Sequence, residues 1–484
     1  MVRKFFKDSA IYGLATILSK GLTVLMLPIY TAFLSKTQLG VLDLLLGVIA
    51  VLSMVIGLDM GNALAREYGE PGELIQKRRY SSTAFWFSVA AFGLSAILFF
   101  PAAGIIAVRL TGDQSAASAV RAAVICLAVS GIYMVASQQL RWMILPGKFG
   151  IVSVCYTLIS LSVTLLLVGK FKLGEAGVLY GTATGSAIGL LLALWFCHGE
   201  FKLQFDLACL RKMLAFCVPI VPSSLSVVVT TYVSRFVLEN YLGLGAVGVF
   251  GVATRVGGLA GLVMLGFGSA LTPLIYARQH HSETAGDLAR IFKIFVTLAS
   301  IGVAGLALFA AEIVAVLTVT DYSAAVPLLG LLAPAFLLSQ MYIFAPGPWL
   351  RRRMWSVAGI NFGTAGLAVA LNFILVPRFG LFGAAMATLL SAGANFGINM
   401  AVSQKLYPVP HRWLGLGGVT AAGIFAITFA SLVFREISVA NFIGKLLVLI
   451  AVVISIIAMG GVERRWFPQA DRGLAGRLWR RRKQ

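Results

Sequence analysis

Apolar stretches of about 18–25 residues recur from one end of this 484-residue chain to the other, and no other feature restricts its fold as much. A run of that length crosses the roughly 30 Å hydrocarbon core of a bilayer as a helix. None of the runs shows the period-two alternation of a membrane barrel strand, and lipid leaves no backbone polar group unpaired, so each span must be a helix. The expected fold is an all-α polytopic membrane protein. Composition agrees: the chain is 59% hydrophobic and 12% charged, with a mean hydropathy of +0.92, far from a soluble globular domain.

The pattern predicts spans at about 9–34, 40–63, 83–105, 121–142, 150–169, 177–197, 214–239, 246–276, 292–311, 326–347, 355–376, 380–403, 413–434 and 441–461, fourteen in all. Net charge is +21, yet most of the 39 Lys and Arg fall in the segments that lie inside if the N-terminus is inside. These include Arg3, Lys4, Lys7, Arg66, Lys77–Arg79, Arg351–Arg353 and the tail from Arg464 to Lys483. The positive-inside rule then places both termini of a multi-pass protein in the cytoplasm. The basic balance is thereby explained by topology, and no nucleic-acid partner is expected. The two-tryptophan tail WFPQADRGLAGRLWRRRKQ suits anionic headgroups.

The first apolar segment is too long for a signal-peptide core and reads as a retained helix. Five cysteines without CxxC spacing and four histidines confined to loops suggest no disulfide, metal site or cofactor. The outer loops are very short, so no extramembrane domain is expected to hold a catalytic centre. The activity is expected among the helices, in a protein that is not an enzyme.

An internal repeat is visible. TLLLVGKFKLGEAGVLYGTATGS (164–186) aligns with LAVALNFILVPRFGLFGAAMATLLS (367–391), matching Gly174 and Gly177 to Gly380 and Gly383, 206 residues on. LSKTQLGVLDLL and LGLGAVGVFGVA match Gly40 to Gly248, 208 residues on. Helices one to six and seven to twelve form two copies of one unit, and six being even, the repeat is parallel. The expected organisation is an N-terminal six-helix bundle (1–200), a C-terminal six-helix bundle (201–408), helices thirteen and fourteen (409–463) and a basic cytoplasmic tail (464–484). Two bundles around a cavity permit alternating access.

NFILVPRFGLFGAAMATLLS (372–391) resembles a recurring segment of the Wzx-type polysaccharide transporters, the oligosaccharide flippases of the multidrug/oligosaccharidyl-lipid/polysaccharide (MOP) exporter superfamily. Helix one with Pro28 and the following LSKTQLG are also similar. The resemblance implies transfer of an undecaprenyl-diphosphate-linked oligosaccharide from the inner to the outer leaflet for surface polysaccharide biosynthesis. Membrane lipids, and the polysaccharide polymerase and export machinery, would be the partners. The segment itself reads as structural: Pro377 stops a helix, Gly380 and Gly383 permit tight re-entry, and Ala384, Ala385 and Ala387 allow close packing.

Three cations lie inside spans. Lys20 shares a stripe of helix one with Tyr12, Thr16 and Thr23. Arg235 shares a face of helix seven with Ser224 and Thr231, beside Ser223, Thr230 and Ser234, and Arg255 lies deep in helix eight. A charge at this depth is a functional-site candidate, and cations suit an anionic cargo. Arg235 has a second reading, a helix ion pair with Glu239 four residues on. Asp43, Asp59 and Glu239 are the candidates for charge balance or ion coupling, with Asp59 placed to neutralise Lys20 and sharing a helix face with Arg66. Gln138, Gln139 and Arg141, with Asn361, Asn372, Asn395 and Asn399, are candidate sugar contacts; such Asn residues equally serve to bridge helices. The glycines of helix eight, from Gly248 to Gly266 and Gly268, allow either bending or tight packing. Alternatives to the leading reading are a lipid II flippase, a cation-coupled multidrug exporter of the same superfamily, and a membrane enzyme using a lipid-linked donor.

Overall fold

This computed structural model describes residues 24, 26–69, 73–261, 264, 284–351, 353–411 and 439–458. Lys20 with its stripe, Gly266, Gly268, helix thirteen and the basic tail lie outside the described residues, which form helices and no strands. Ten of these helices are long and apolar enough to cross a membrane. The last of them, Met354–Leu406, has 53 residues and breaks at Gly380. It folds back on itself there, because a Cβ on Gly383 would lie 2.2 Å from the Leu375 carbonyl oxygen.

In chain order, α1 is Leu27–Phe33, α2 Lys36–Gly57, α3 Met60–Gly69, α4 Leu74–Phe99, α5 Ala103–Thr111, α6 Ala117–Trp142 and α7 Pro146–Leu165. They are followed by α8 Gly174–Phe196, α9 Leu207–Cys217, α10 Val221–Leu242, α11 Leu244–Gly257, α12 Thr284–Leu308, α13 Ala310–Leu317, α14 Val326–Gln340, α15 Gly347–Leu350, α16 Met354–Leu406 and α17 Val439–Ala458.

Local chemistry sets the boundaries. Ser35 caps α2 reciprocally: its hydroxyl accepts from the Gln38 N–H at 3.1 Å, and the Gln38 side-chain oxygen accepts from the Ser35 N–H at 3.0 Å. The helix expected over 40–63 ends earlier, at Gly57, because Leu58 (φ 46°) and Asp59 (φ 53°) are left-handed. Asp59 therefore lies outside α3 and does not share a helix face with Arg66, whose guanidinium sits 4.6 Å from the Phe216 ring centre. Helix seven begins at Val221 rather than 214; the preceding residues form the separate helix α9.

Pro377 does not stop its helix as expected. The chain stays helical past it and turns at Gly380, at φ 58° and ψ −134°, which a side chain would make costly. Gly174 takes the same role at the head of α8 with φ 56°. Gly174 and Gly380, which the repeat matches, thus share a positive φ.

The described chain divides into two compact units, one of residues 1–277 and 310–407, the other of 278–309 and 408–484. In the second unit Val452 of α17 packs with Ile301 of α12, and the Phe309 and Phe442 rings lie 5.1 Å apart. In the first, α9 buries Cys209, Leu210, Met213 and Cys217 against Met60, Ala63 and Leu64 of α3 and Tyr80 and Ala84 of α4. Ion pairs of Lys212 with Glu67 (2.5 Å) and Arg78 with Glu200 (3.2 Å) fasten this connector to the same helices.

Candidate functional site

The site starts from a close helix crossing. A Cβ on Gly40 of α2 would lie 1.9 Å from the Leu244 carbonyl oxygen and 3.2 Å from the Gly248 nitrogen. A Cβ on Gly248 of α11 would lie 2.0 Å from the Lys36 carbonyl oxygen and 3.1 Å from the Gly40 nitrogen. The contact is reciprocal, since Lys36 and Leu244 are separated by the same 208 residues as Gly40 and Gly248. Only glycine permits backbones so close.

One turn further along each helix the reciprocity becomes a difference. Asp43 on α2 corresponds to Gly251 on α11, and a Cβ at Gly251 would lie 2.0 Å from Asp43 Oδ2 and 2.9 Å from Arg255 Nη1. The missing side chain at 251 is the space that the Asp43 carboxylate occupies. Asp43 is 3% exposed, and it accepts a hydrogen bond from Arg255 Nη2. On its other side Arg235 Nε of α10 stands 3.7 Å from Oδ2.

Arg235 is held in place by donation to the Thr231 carbonyl (2.9 Å) and the Thr254 hydroxyl (3.2 Å), with its guanidinium 4.8 Å from the Tyr232 ring centre. Tyr30 and Tyr322, both buried, lie within electrostatic reach of Arg255 and Asp43.

Two guanidinium groups around one carboxylate leave one net positive charge inside an apolar bundle. A charge held there is costly unless paired, and at low effective dielectric it attracts an anion far more strongly than in water. Arg255 Nη1, Arg235 Nε and Asp43 Oδ2 are buried and make no hydrogen bond among the described residues. The arrangement can accept the oxygens of an anionic group.

The structure thus brings together Arg235, Arg255 and Asp43. It corrects the ion pair read for Arg235 with Glu239: the guanidinium turns to Asp43, which is more deeply buried and lies across the helix interface. Asp59 stands apart, accepting from Asn62 (2.9 Å) and from the Ser224 hydroxyl of α10 (3.1 Å).

The asparagines bridge or brace helices. Asn361 donates to Ser223 at 3.2 Å and Asn395 to Thr364 at 3.1 Å, while Asn399 and Asn372 donate to backbone carbonyls of their own helix, at 2.9 and 2.8 Å. Gln138 packs on Gly61, Gln139 is fully buried, and Arg141 lies 4.2 Å from the Phe149 ring centre. Sequence reasoning missed Tyr30, Tyr322, Thr254 and Gly251. The repeat offset held the signal for Gly251, which it places opposite Asp43; the tyrosines come from segments with no periodic relation to the arginines.

Comparison with known proteins bears on the same ground. The family model described as "Polysaccharide biosynthesis protein" matches residues 5–279. No curated protein matches. Among solved structures, the lipid II flippase MurJ in an inward closed conformation is similar with a TM-score of 0.71 at 15% identity, over 93% of this chain and 98% of that one. An inward-facing multidrug resistance MATE family transporter of the MOP superfamily gives 0.64 at 16% identity, over 83% of this chain and 96% of the other. The outward-facing conformation of such a transporter gives 0.61 at 14% identity, over 82% and 95%. With the family model covering more than half its length, the chain belongs to the polysaccharide biosynthesis proteins, and it has the fold of the MOP-superfamily exporters.

Proposed function

We propose that the protein is a flippase that moves an undecaprenyl-diphosphate-linked oligosaccharide from the inner to the outer leaflet of the bacterial inner membrane by alternating access, for surface polysaccharide biosynthesis. The observation that carries this reading is the buried cluster of Arg235, Arg255 and Asp43, whose excess positive charge suits a diphosphate that cannot cross hydrocarbon unaided. Family membership supplies the polysaccharide context. The matched glycines support the two-bundle plan, with Lys20 as a further cation on the path. In this reading both termini are cytoplasmic, and the polymerase and export machinery are the partners downstream.

A lipid II flippase is the second reading, because such a cargo shares the diphosphate and MurJ shares the fold. The exporter of cationic drugs is disfavoured by the sign of the cluster.

The test is the amount of lipid-linked oligosaccharide left facing the cytoplasm in cells carrying Lys20→Ala, Arg255→Ala or Lys20→Arg, with membrane abundance measured in parallel. Accumulation in both alanine variants at normal abundance, with Lys20→Arg active, is expected. Normal surface polysaccharide in both alanine variants would overturn the reading.

A further inference from the structure

Asp43 raises a question that an anion path leaves open. A permanent carboxylate between two arginines weakens the site for the very ligand the arginines suit. Its position offers a reason. Asp43 belongs to α2, whereas both arginines belong to α10 and α11, and the ion pairs lie one turn from the glycine crossing where α2 and α11 touch backbone to backbone. The carboxylate therefore does two things at once: it fills the anion site and bolts α2 to its neighbours.

We infer that Asp43 is an internal stand-in for the cargo's anionic group, occupying the two-arginine site when no cargo is bound and yielding it to a lipid-linked diphosphate. This rests on the anionic-cargo reading above and adds a consequence: binding releases the α2–α11 seam. The exchange is chemically favourable in kind. The carboxylate bonds through Oδ1 alone, and its Oδ2, Arg255 Nη1 and Arg235 Nε are all left without a hydrogen bond among the described residues. A diphosphate offers more charge and more acceptor oxygens, enough for both unused donors, and Arg binds such oxygens in pairs. Once displaced, Asp43 no longer ties α2 to the helices that carry the arginines, so cargo binding and opening at the seam become one event, as differential affinity for two states requires. The space beside Gly251, filled by Asp43 Oδ2 and Arg255 Nη1, is the place that the carboxylate would vacate.

The experiment uses the full chain in lipid nanodiscs with a reporter cysteine at Val247→Cys, a fully buried position next in sequence to Gly248. Its maleimide labelling is followed by peptide mass spectrometry, and binding of undecaprenyl diphosphate and undecaprenyl monophosphate is measured beside it. Undecaprenyl diphosphate is expected to raise labelling of the reporter at least five-fold, and the monophosphate less. Asp43→Asn is expected to raise labelling without lipid and to bind the diphosphate about tenfold tighter, while Arg255→Gln loses the lipid response. Should Asp43→Asn fail to reach the membrane, Asp43→Asn with Arg235→Gln restores the net charge of the cluster and is expected to label without lipid in the same way. Unchanged labelling in whichever variant folds, with diphosphate affinity equal to that of the parent, would overturn the role of Asp43 and leave the anionic cargo standing. Failure of the parent and every variant to bind undecaprenyl diphosphate would overturn both.

Discussion

At the scale of single residues, the side chains that matter most are those whose removal leaves a charge alone in an apolar place. Asp43 is 3% exposed, and Arg255 is its hydrogen-bonded partner. Arg255→Ala would leave the carboxylate with only Arg235, 3.7 Å away, and breaking a buried pair in this manner costs about 3–5 kcal/mol. Thermal unfolding in detergent should show the loss, and Arg255→Lys should recover part of it; equal stability of Arg255→Ala and parent would show that the pair carries no structural weight. A second residue makes a sharper pH prediction. Burial first, and then the Asp206 carboxylate, push the Cys209 thiol up to about 11. The reactive thiolate is scarce below that value, so alkylation of Cys209 should be very slow at pH 7.5 and rise roughly tenfold per pH unit up to about pH 11. A plateau near pH 8.5 would mean that Cys209 is solvated like a free thiol.

Helices and their crossings depend on a few glycines. Gly380→Ala asks alanine to adopt φ 58° and ψ −134°, at a cost of about 1–3 kcal/mol that arises in the backbone alone, and circular dichroism melts should report it. At Gly248→Val the fault is different: the new Cβ would meet the Lys36 carbonyl oxygen at 2.0 Å, so α2 and α11 must part. That variant should raise labelling of a cysteine at buried Leu39, whereas Gly245→Ala, whose Cβ would meet nothing within 4 Å, should not. The same glycines show what was legible in the sequence. Spacing alone matched Gly40 to Gly248 and Gly174 to Gly380, because a backbone requirement for no side chain is a local property that repeats with the fold. The end of α2 at Gly57 was not legible, because Leu58 is a helix former inside an apolar run, and it and Asp59 take left-handed φ values at a place where Asp59 reaches Asn62 and Ser224. The second reading of Arg235, the pair with Glu239, fails for a similar reason. A four-residue spacing makes Glu239 the nearest acid along the helix, but the crossing of α2 brings a more deeply buried one.

For the whole molecule, the alternating access proposed above takes a concrete form at helix α10. Near its start Ser224 bonds to Asp59, just beyond one end of α2; eleven residues on, Arg235 reaches Asp43, near the other end. At 1.5 Å per residue these ties stand about 16 Å apart, roughly half the thickness of the hydrocarbon core. Ser223 and Ser234, on the neighbouring stripe of α10, meet Asn361 and Thr388 of α16 instead, so one helix holds α2 with one set of polar residues and α16 with another. A transporter that opens to either side in turn cannot keep both ties to α2 in every state, and the cargo exchange argued for Asp43 releases only one of them. On that proposal the Asp59–Ser224 tie holds while the other lets go, and breaks in the opposite half of the cycle. Asp59→Cys with Ser224→Cys puts two thiols across this tie for oxidative cross-linking, with Cys217, whose Sγ lies 3.3 Å from the Asp59 carbonyl oxygen, replaced by serine so that it cannot pair with the new thiol. Oxidation should stall transport and leave lipid-linked oligosaccharide facing the cytoplasm, reduction should restore flow, and neither single variant should respond to oxidant. Undiminished transport by the fully oxidised double variant would show that α2 and α10 stay together at this end throughout, and the moving seam would have to be sought elsewhere in the bundle.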